Sequence, residues 1–147
     1  MTNALRSFER SLPMTLLKAR EAVMKKFIPS LKAHDLTSQQ WRVIRALEHE
    51  SGLDISTLAK RCHLLMPSLS RIINHLDQIK IIERQAVDSD QRRSIIVLTE
   101  LGQELFAKVA PKSVERYAEI EEKYGVRKLE LLYELLDDLI NTLEEDS

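Results

Sequence analysis

Cysteine and glycine are both scarce in this chain of 147 residues, which carries one of the first and three of the second. A single cysteine excludes an internal disulfide, and neither a Cys-x-x-Cys pair nor a close His/Cys cluster is present to hold a structural zinc. Gly52, Gly102 and Gly125 cannot assemble a Gly-x-Gly-x-x-Gly or P-loop phosphate cradle. Nucleotide-dependent catalysis therefore has no footing, and neither a cofactor nor a metal is expected. Long hydrophobic runs are missing too. The longest plain apolar stretch, Ile95-Ile96-Val97-Leu98, is far too short to cross a bilayer. Arg6, Glu9 and Arg10 precede an amphipathic stretch, so no secretory signal is read and a cytoplasmic protein without a membrane partner is expected. An excess of charge of one sign is also absent. The formal net charge is −1, which taken alone argues against a nucleic-acid partner.

Its composition of 44% hydrophobic and 31% charged residues suits a soluble globular chain with a core. The length fits one domain over residues 1–147. Charge is segregated along that domain. Residues 1–35 hold seven Lys/Arg against three Asp/Glu, residues 56–93 seven against four, and residues 115–147 four against eleven. An acidic C-terminal segment thus hides a basic N-terminal segment and a basic centre. Solvated helix faces produce such blocks as readily as binding surfaces do, so charge reopens nucleic acid without deciding for it.

Apolar residues Leu12, Leu16, Ala19, Val23, Phe27 and Leu31 recur at steps of three or four, predicting a helix that Pro29 kinks or ends. Thr37 with Gln40, ahead of Trp41, Val43, Ile44 and Leu47, reads as a capping box opening a second helix, stopped at Ser51-Gly52. Ile55, Leu58, Ala59 and Cys62 form the inner face of a short third helix. After a turn at residues 63–66, Pro67 suits the first turn of a fourth, with Leu69, Ile72, Ile73, Leu76 and Ile79 inward. The period then changes. Residues 81–87 read as a strand, 88–93 as a polar turn and 94–98 as the returning strand. Thr99 caps a long helix bent at Pro111, and Gly125 precedes a last leucine-rich helix. The fold class is mainly α with one β-hairpin.

Two short helices joined by a tight turn and followed at once by a hairpin make a winged helix-turn-helix, here residues 37–99. The second helix of such a unit enters the major groove with its N-terminal residues toward base edges. The inward set leaves Ser68, Ser70, Arg71, Asn74, His75 and Gln78 outward, and these are groups that reach bases and phosphates. Arg92 and Arg93 on the hairpin tip suit a narrow minor groove, where the neighbouring Asp90 can hold a guanidinium in position. A polar helix surface and a charged turn would look the same by spacing.

These residues resemble the MarR family of bacterial transcription regulators. Asp90-Gln91-Arg92 followed by Leu98-Thr99-Glu100-Leu101-Gly102 is similar to that family's wing signature. Ser70-Arg71 with Leu76-Asp77-Gln78-Ile79 is similar to its recognition helix, and Ile82-Glu83-Arg84 to the strand after it. Residues 16–22 and 36–45 resemble the regulators of homoprotocatechuate degradation and related aromatic-acid catabolism. The resemblance covers nearly the whole chain and adds Arg84 to the DNA-facing residues. It implies a homodimer built from residues 1–35 and 100–147, presenting two winged units to double-stranded DNA with a pseudo-palindromic operator. It also implies a repressor released by a small aromatic carboxylate, bound between the dimer helices and the winged unit. Candidate contacts are Ser11, Met14, Arg20 and Met24 on the first helix, and His34, Trp41, Arg42 and Arg45 at the start of the second. An arginine would meet the carboxylate and Trp41 would wall the ring.

Other function classes are weaker. Cys62 sits on the apolar face of a short helix, where a thiol is usually inert. His34, His49, His63 and His75 have no partner at metal-ligand spacing. No Ser, His and Asp set forms a catalytic motif, so no enzyme is expected. The remaining alternative is a helical winged-helix module that binds a protein instead of DNA.

Overall fold

The computed structural model describes residues 4–87 and 90–145. A short 3-10 turn, Phe8–Arg10, leads into α1 (Leu12–Lys32), followed by α2 (Ser38–His49), α3 (Ile55–Cys62) and α4 (Met66–Gln78). A hairpin of β1 (Ile82–Val87) and β2 (Asp90–Leu98) precedes α5 (Glu100–Tyr124) and α6 (Val126–Glu144). The chain divides into two compact units, one through Ala110 and one from Pro111 onward, so the boundary falls inside α5.

Helix starts follow side-chain chemistry. Ser11 accepts from the Met14 N–H, Asp54 from Thr57, and Thr37 and Gln40 exchange the reciprocal bonds of a capping box, at 3.1 Å each. Pro29 stands in the last turn of α1, which runs on only to Lys32. The core of the first unit gathers Leu31, Val43, Ile44, Leu47, Leu58, Leu69, Ile73, Leu76, Ile82, Ile96 and Val109. Each fully buried Leu or Ile there stabilises the fold by about 1.5–3 kcal/mol relative to exposure.

The hairpin pairs antiparallel from Ile82↔Leu98 to Ala86↔Ser94, and the register then breaks before Val87↔Asp90. β2 therefore begins at Asp90, four residues earlier than the polar turn read from sequence allowed. The turn signal came from polar residues, and a wing that stands out from the core has no apolar face to mark its strand. Gln91, Arg92 and Arg93 fall by backbone in the stretch of β2 between the pairs Val87↔Asp90 and Ala86↔Ser94, where the register shifts. An isolated bridge between Leu53 and Ile96 ties the base of the hairpin to the α2–α3 connection.

The start of α5 is fixed to the end of α4. The Thr99 hydroxyl lies 2.5 Å from the Lys80 carbonyl oxygen and 3.1 Å from that of Ile81, and accepts from the Gly102 N–H at 3.1 Å. The Thr99 N–H donates to Ile81 O at 3.0 Å. A Cβ on Gly102 would stand 2.2 Å from Ile81 O. Glycine here permits a backbone approach that no other residue allows.

Candidate nucleic-acid interface

The candidate recognition surface is the outer face of α4 with β1 beside it. Leu69, Ile72, Ile73 and Leu76 are buried, and that inward set turns Arg71, Asn74, His75 and Gln78 outward, with Ser68 and Ser70 half-buried. Arg84, exposed on β1, donates from Nη2 to Asn74 Oδ1 at 3.0 Å. A guanidinium only donates, so the Asn74 oxygen faces Arg84 and its NH2 remains a donor for base or phosphate. The structure thus brings together two residues ten positions apart that were assigned to DNA on separate grounds. Asp90, Arg92 and Arg93 lie on β2 by backbone, and their side chains lie outside the described residues.

α4 begins unlike its neighbours. Its N-cap is Leu65, which makes no capping hydrogen bond and is 78% exposed. Leu65 escapes a sequence reading because an apolar residue between Leu64 and Met66 looks like core. The available signal is the missing Ser, Thr, Asp or Asn ahead of Met66-Pro67. In the last turn of α3, Arg61 pairs with Glu50 while Lys60 is exposed.

The candidate ligand contacts have mixed placements. Ser11 is committed to capping α1 and also donates to Phe8 O at 3.1 Å. Met14, Met24 and His34 are half-buried, and Arg20 and Arg45 are exposed. Trp41 is only 8% exposed and stacks on Phe106 with ring centroids 5.4 Å apart. Arg42 donates to the Cys62 carbonyl at 2.9 Å, tying α2 to the end of α3. No side-chain hydrogen bond or ion pair joins any two of these eight side chains among the described residues. Burial pushes the Cys62 thiol above its ordinary pKa, and the Arg42 charge offsets this only in part. That environment favours an inert thiol.

A model of the MarR family matches residues 34–93, from the end of the α1 turn into β2. Over 139 residues the chain is 37% identical to the homoprotocatechuate degradative operon repressor of Escherichia coli, which covers 92% of this chain and 94% of that one. The chain belongs to the MarR family. It is also 39% identical over 129 residues to the transcriptional regulator FarR of Neisseria gonorrhoeae, 88% of each chain being covered. Among solved structures it is similar to the transcriptional regulator PA4135, with a TM-score of 0.84 and 41% identity over 89% of this chain and 96% of that one. NadR in complex with 4-hydroxyphenylacetate matches with a TM-score of 0.77 and 38% identity, covering 92% and 96%. In this MarR-family chain the signature Leu98-Thr99-x-x-Gly102 has a visible purpose. Its threonine and glycine make the junction that sets α5 against the end of α4.

Proposed function

We propose that this chain is a homodimeric, cytoplasmic DNA-binding repressor of an aromatic-acid catabolic operon, released from a pseudo-palindromic operator by a phenolic aromatic acid. The observation that carries this reading is the outer face of α4, where Arg71, Asn74 and His75 stand exposed on a helix whose other side is buried core. Such a helix is anchored by its buried side while Arg71, His75 and the NH2 of Asn74 can reach into a groove. Arg92 and Arg93, with Asp90, extend the contact into the minor groove from the wing. The ligand class follows from the E. coli relative, named for homoprotocatechuate degradation, and from NadR, crystallised with 4-hydroxyphenylacetate.

Arg20 is the favoured carboxylate partner, because it is exposed while Arg42 is already engaged with the Cys62 carbonyl. Trp41 walls the ring while remaining stacked on Phe106. Ser11, Met14, Met24, His34 and Arg45 complete the candidate lining. Release requires only that the acid bind the DNA-free form more tightly than the DNA-bound form, by the same factor by which it weakens operator binding.

The test is a binding titration on palindromes from the protein's own promoter region across a salt series, with and without 4-hydroxyphenylacetate. Phosphate contacts make affinity fall steeply and linearly in log–log form, by about 0.9 per neutralised phosphate. The acid should weaken the complex and change Trp41 fluorescence. Absence of binding to every palindrome at low salt would falsify the repressor reading in favour of a protein-binding module. Binding unaffected by any of a panel of aromatic acids removes the ligand assignment.

A further inference from the structure

In the unit that runs through Ala110, α1, α2, α3 and α5 start on the polar side chains of Ser11, Thr37, Asp54 and Thr99, each accepting a first-turn N–H. α4 starts on Leu65, with no side-chain cap. The next two residues, Met66 and Pro67, are exposed as well, although Leu64 packs against the core and Leu69 is fully buried. Three consecutive apolar residues therefore face solvent at the N-terminal end of the helix, beside half-buried Ser68 and exposed Arg71, with exposed Lys60 and His63 nearby in the same depression. A leucine at an N-cap forgoes the usual hydrogen bond, and a leucine in water forgoes burial. Local rules broken without compensation inside the chain concentrate at functional positions.

The end of α4 that carries this corner is the end a recognition helix turns toward base edges. A leucine reads no hydrogen-bond pattern. The one apolar group that a base presents in the major groove is the 5-methyl of thymine. Lys60 and Arg71 at the corner fit a phosphate backbone flanking that contact, and such charges do not fit the core of a protein partner. We propose that Leu65, with Met66 beside it, is a specificity-determining residue that packs against a thymine 5-methyl in each operator half-site. The inference rests on the DNA-binding reading above and adds a base preference to it.

Deoxyuridine scanning isolates the contact, because replacing thymine by uracil removes the methyl and leaves every hydrogen bond. A duplex selected by the wild-type protein is rebuilt with each thymine replaced in turn. Wild-type protein should lose roughly fourfold in affinity per methyl at one or two thymines of each half-site, the effect of burying one such group. Leu65→Ser, which supplies an ordinary cap and should melt no lower than wild type, should lose that discrimination at those positions and keep it elsewhere. Leu65→Met retains the apolar contact and should retain the discrimination. If no thymine couples to Leu65, or Leu65→Ser discriminates as wild type does, the inference is overturned while DNA binding stands. If no duplex is selected at low salt, the regulator reading falls and takes this inference with it.

Discussion

Thr99 and Gly102 join the start of α5 to the residues that follow α4 through one hydroxyl and one missing methyl. The hydroxyl caps α5 and reaches the carbonyls that follow α4, and the absent Cβ lets the first turn of α5 approach Ile81 O. Alanine favours helix over glycine by about 1 kcal/mol, so Gly102→Ala would stabilise an unconstrained helix. Here the added carbon meets backbone that cannot rotate away, and the overpacking cost, about 1–3 kcal/mol or more, wins. Urea unfolding of Gly102→Ala should show a lower midpoint, and a raised midpoint would mean that the close approach is not rigid. At this scale Arg71, Asn74, His75 and Gln78 were legible as outer residues of α4 from the apolar period, while Ser68 and Ser70, read outward, are half-buried and Ile79, read inward, is exposed where the helix ends. The ties between Arg84 and Asn74 and between Arg42 and the Cys62 carbonyl were not legible. They join residues 10 and 20 positions apart, and local spacing carries no information about which polar groups tertiary packing brings together.

Three helices in the first unit end the same way despite the shortage of glycine. Asp35, His63 and Lys80 hold φ of 56°, 52° and 64° after α1, α3 and α4. In each case the next residue, Leu36, Leu64 or Ile81, donates its N–H five residues back, to the carbonyl of Leu31, Ala59 or Leu76 respectively. That is a Schellman closure, with an apolar residue folded onto the last turn, built on side chains that disfavour the left-handed region. Left-handed strain for an L-residue is about 1–2 kcal/mol, and glycine's greater unfolded-state entropy returns about 0.4–1 kcal/mol of any gain. His63→Gly should therefore raise stability by about 1 kcal/mol, read as a higher thermal midpoint, and a fall would show that the imidazole holds the turn by some other contact. The starts of α2 and α5 were legible through the caps Thr37 and Thr99, whereas the caps Ser11 and Asp54 show only in the structure. The end of α3 was legible as the turn at residues 63–66, whereas the left-handed closures at Asp35 and Lys80 were not, because no glycine marked them, and β2 was read short because its outer residues carry no apolar alternation.

At the scale of the whole molecule, the terminal helices expose more apolar surface than their own chain covers. α6 has no buried residue, and Leu131, Leu135, Ile140 and Leu143 are each at least half exposed. In α1 only Phe27 and Leu31 are buried, while Leu12, Leu16, Leu17 and Val23 face outward. Single exposed leucines are unremarkable, but a stripe along α1 and another along α6 fit the interface that the proposed homodimer needs. A second copy of the chain is the occupant the proposed function requires. Two-fold symmetry sets two recognition helices about one DNA turn, roughly 34 Å, apart, and one unit alone offers few base contacts. It also accounts for the charge distribution. On that proposal the acidic C-terminal segment belongs to the dimer helices and the basic centre to the DNA-facing unit, so a net charge near zero is compatible with a nucleic-acid surface. Leu135→Arg places a charge in the stripe of α6 and leaves residues 37–99 unchanged. It should sediment as a monomer with its helical content retained, and operator affinity should fall by about 10²–10⁴, the avidity that joining two half-site contacts supplies. A variant that stays dimeric and binds as wild type does would show that this face of α6 lies outside the interface.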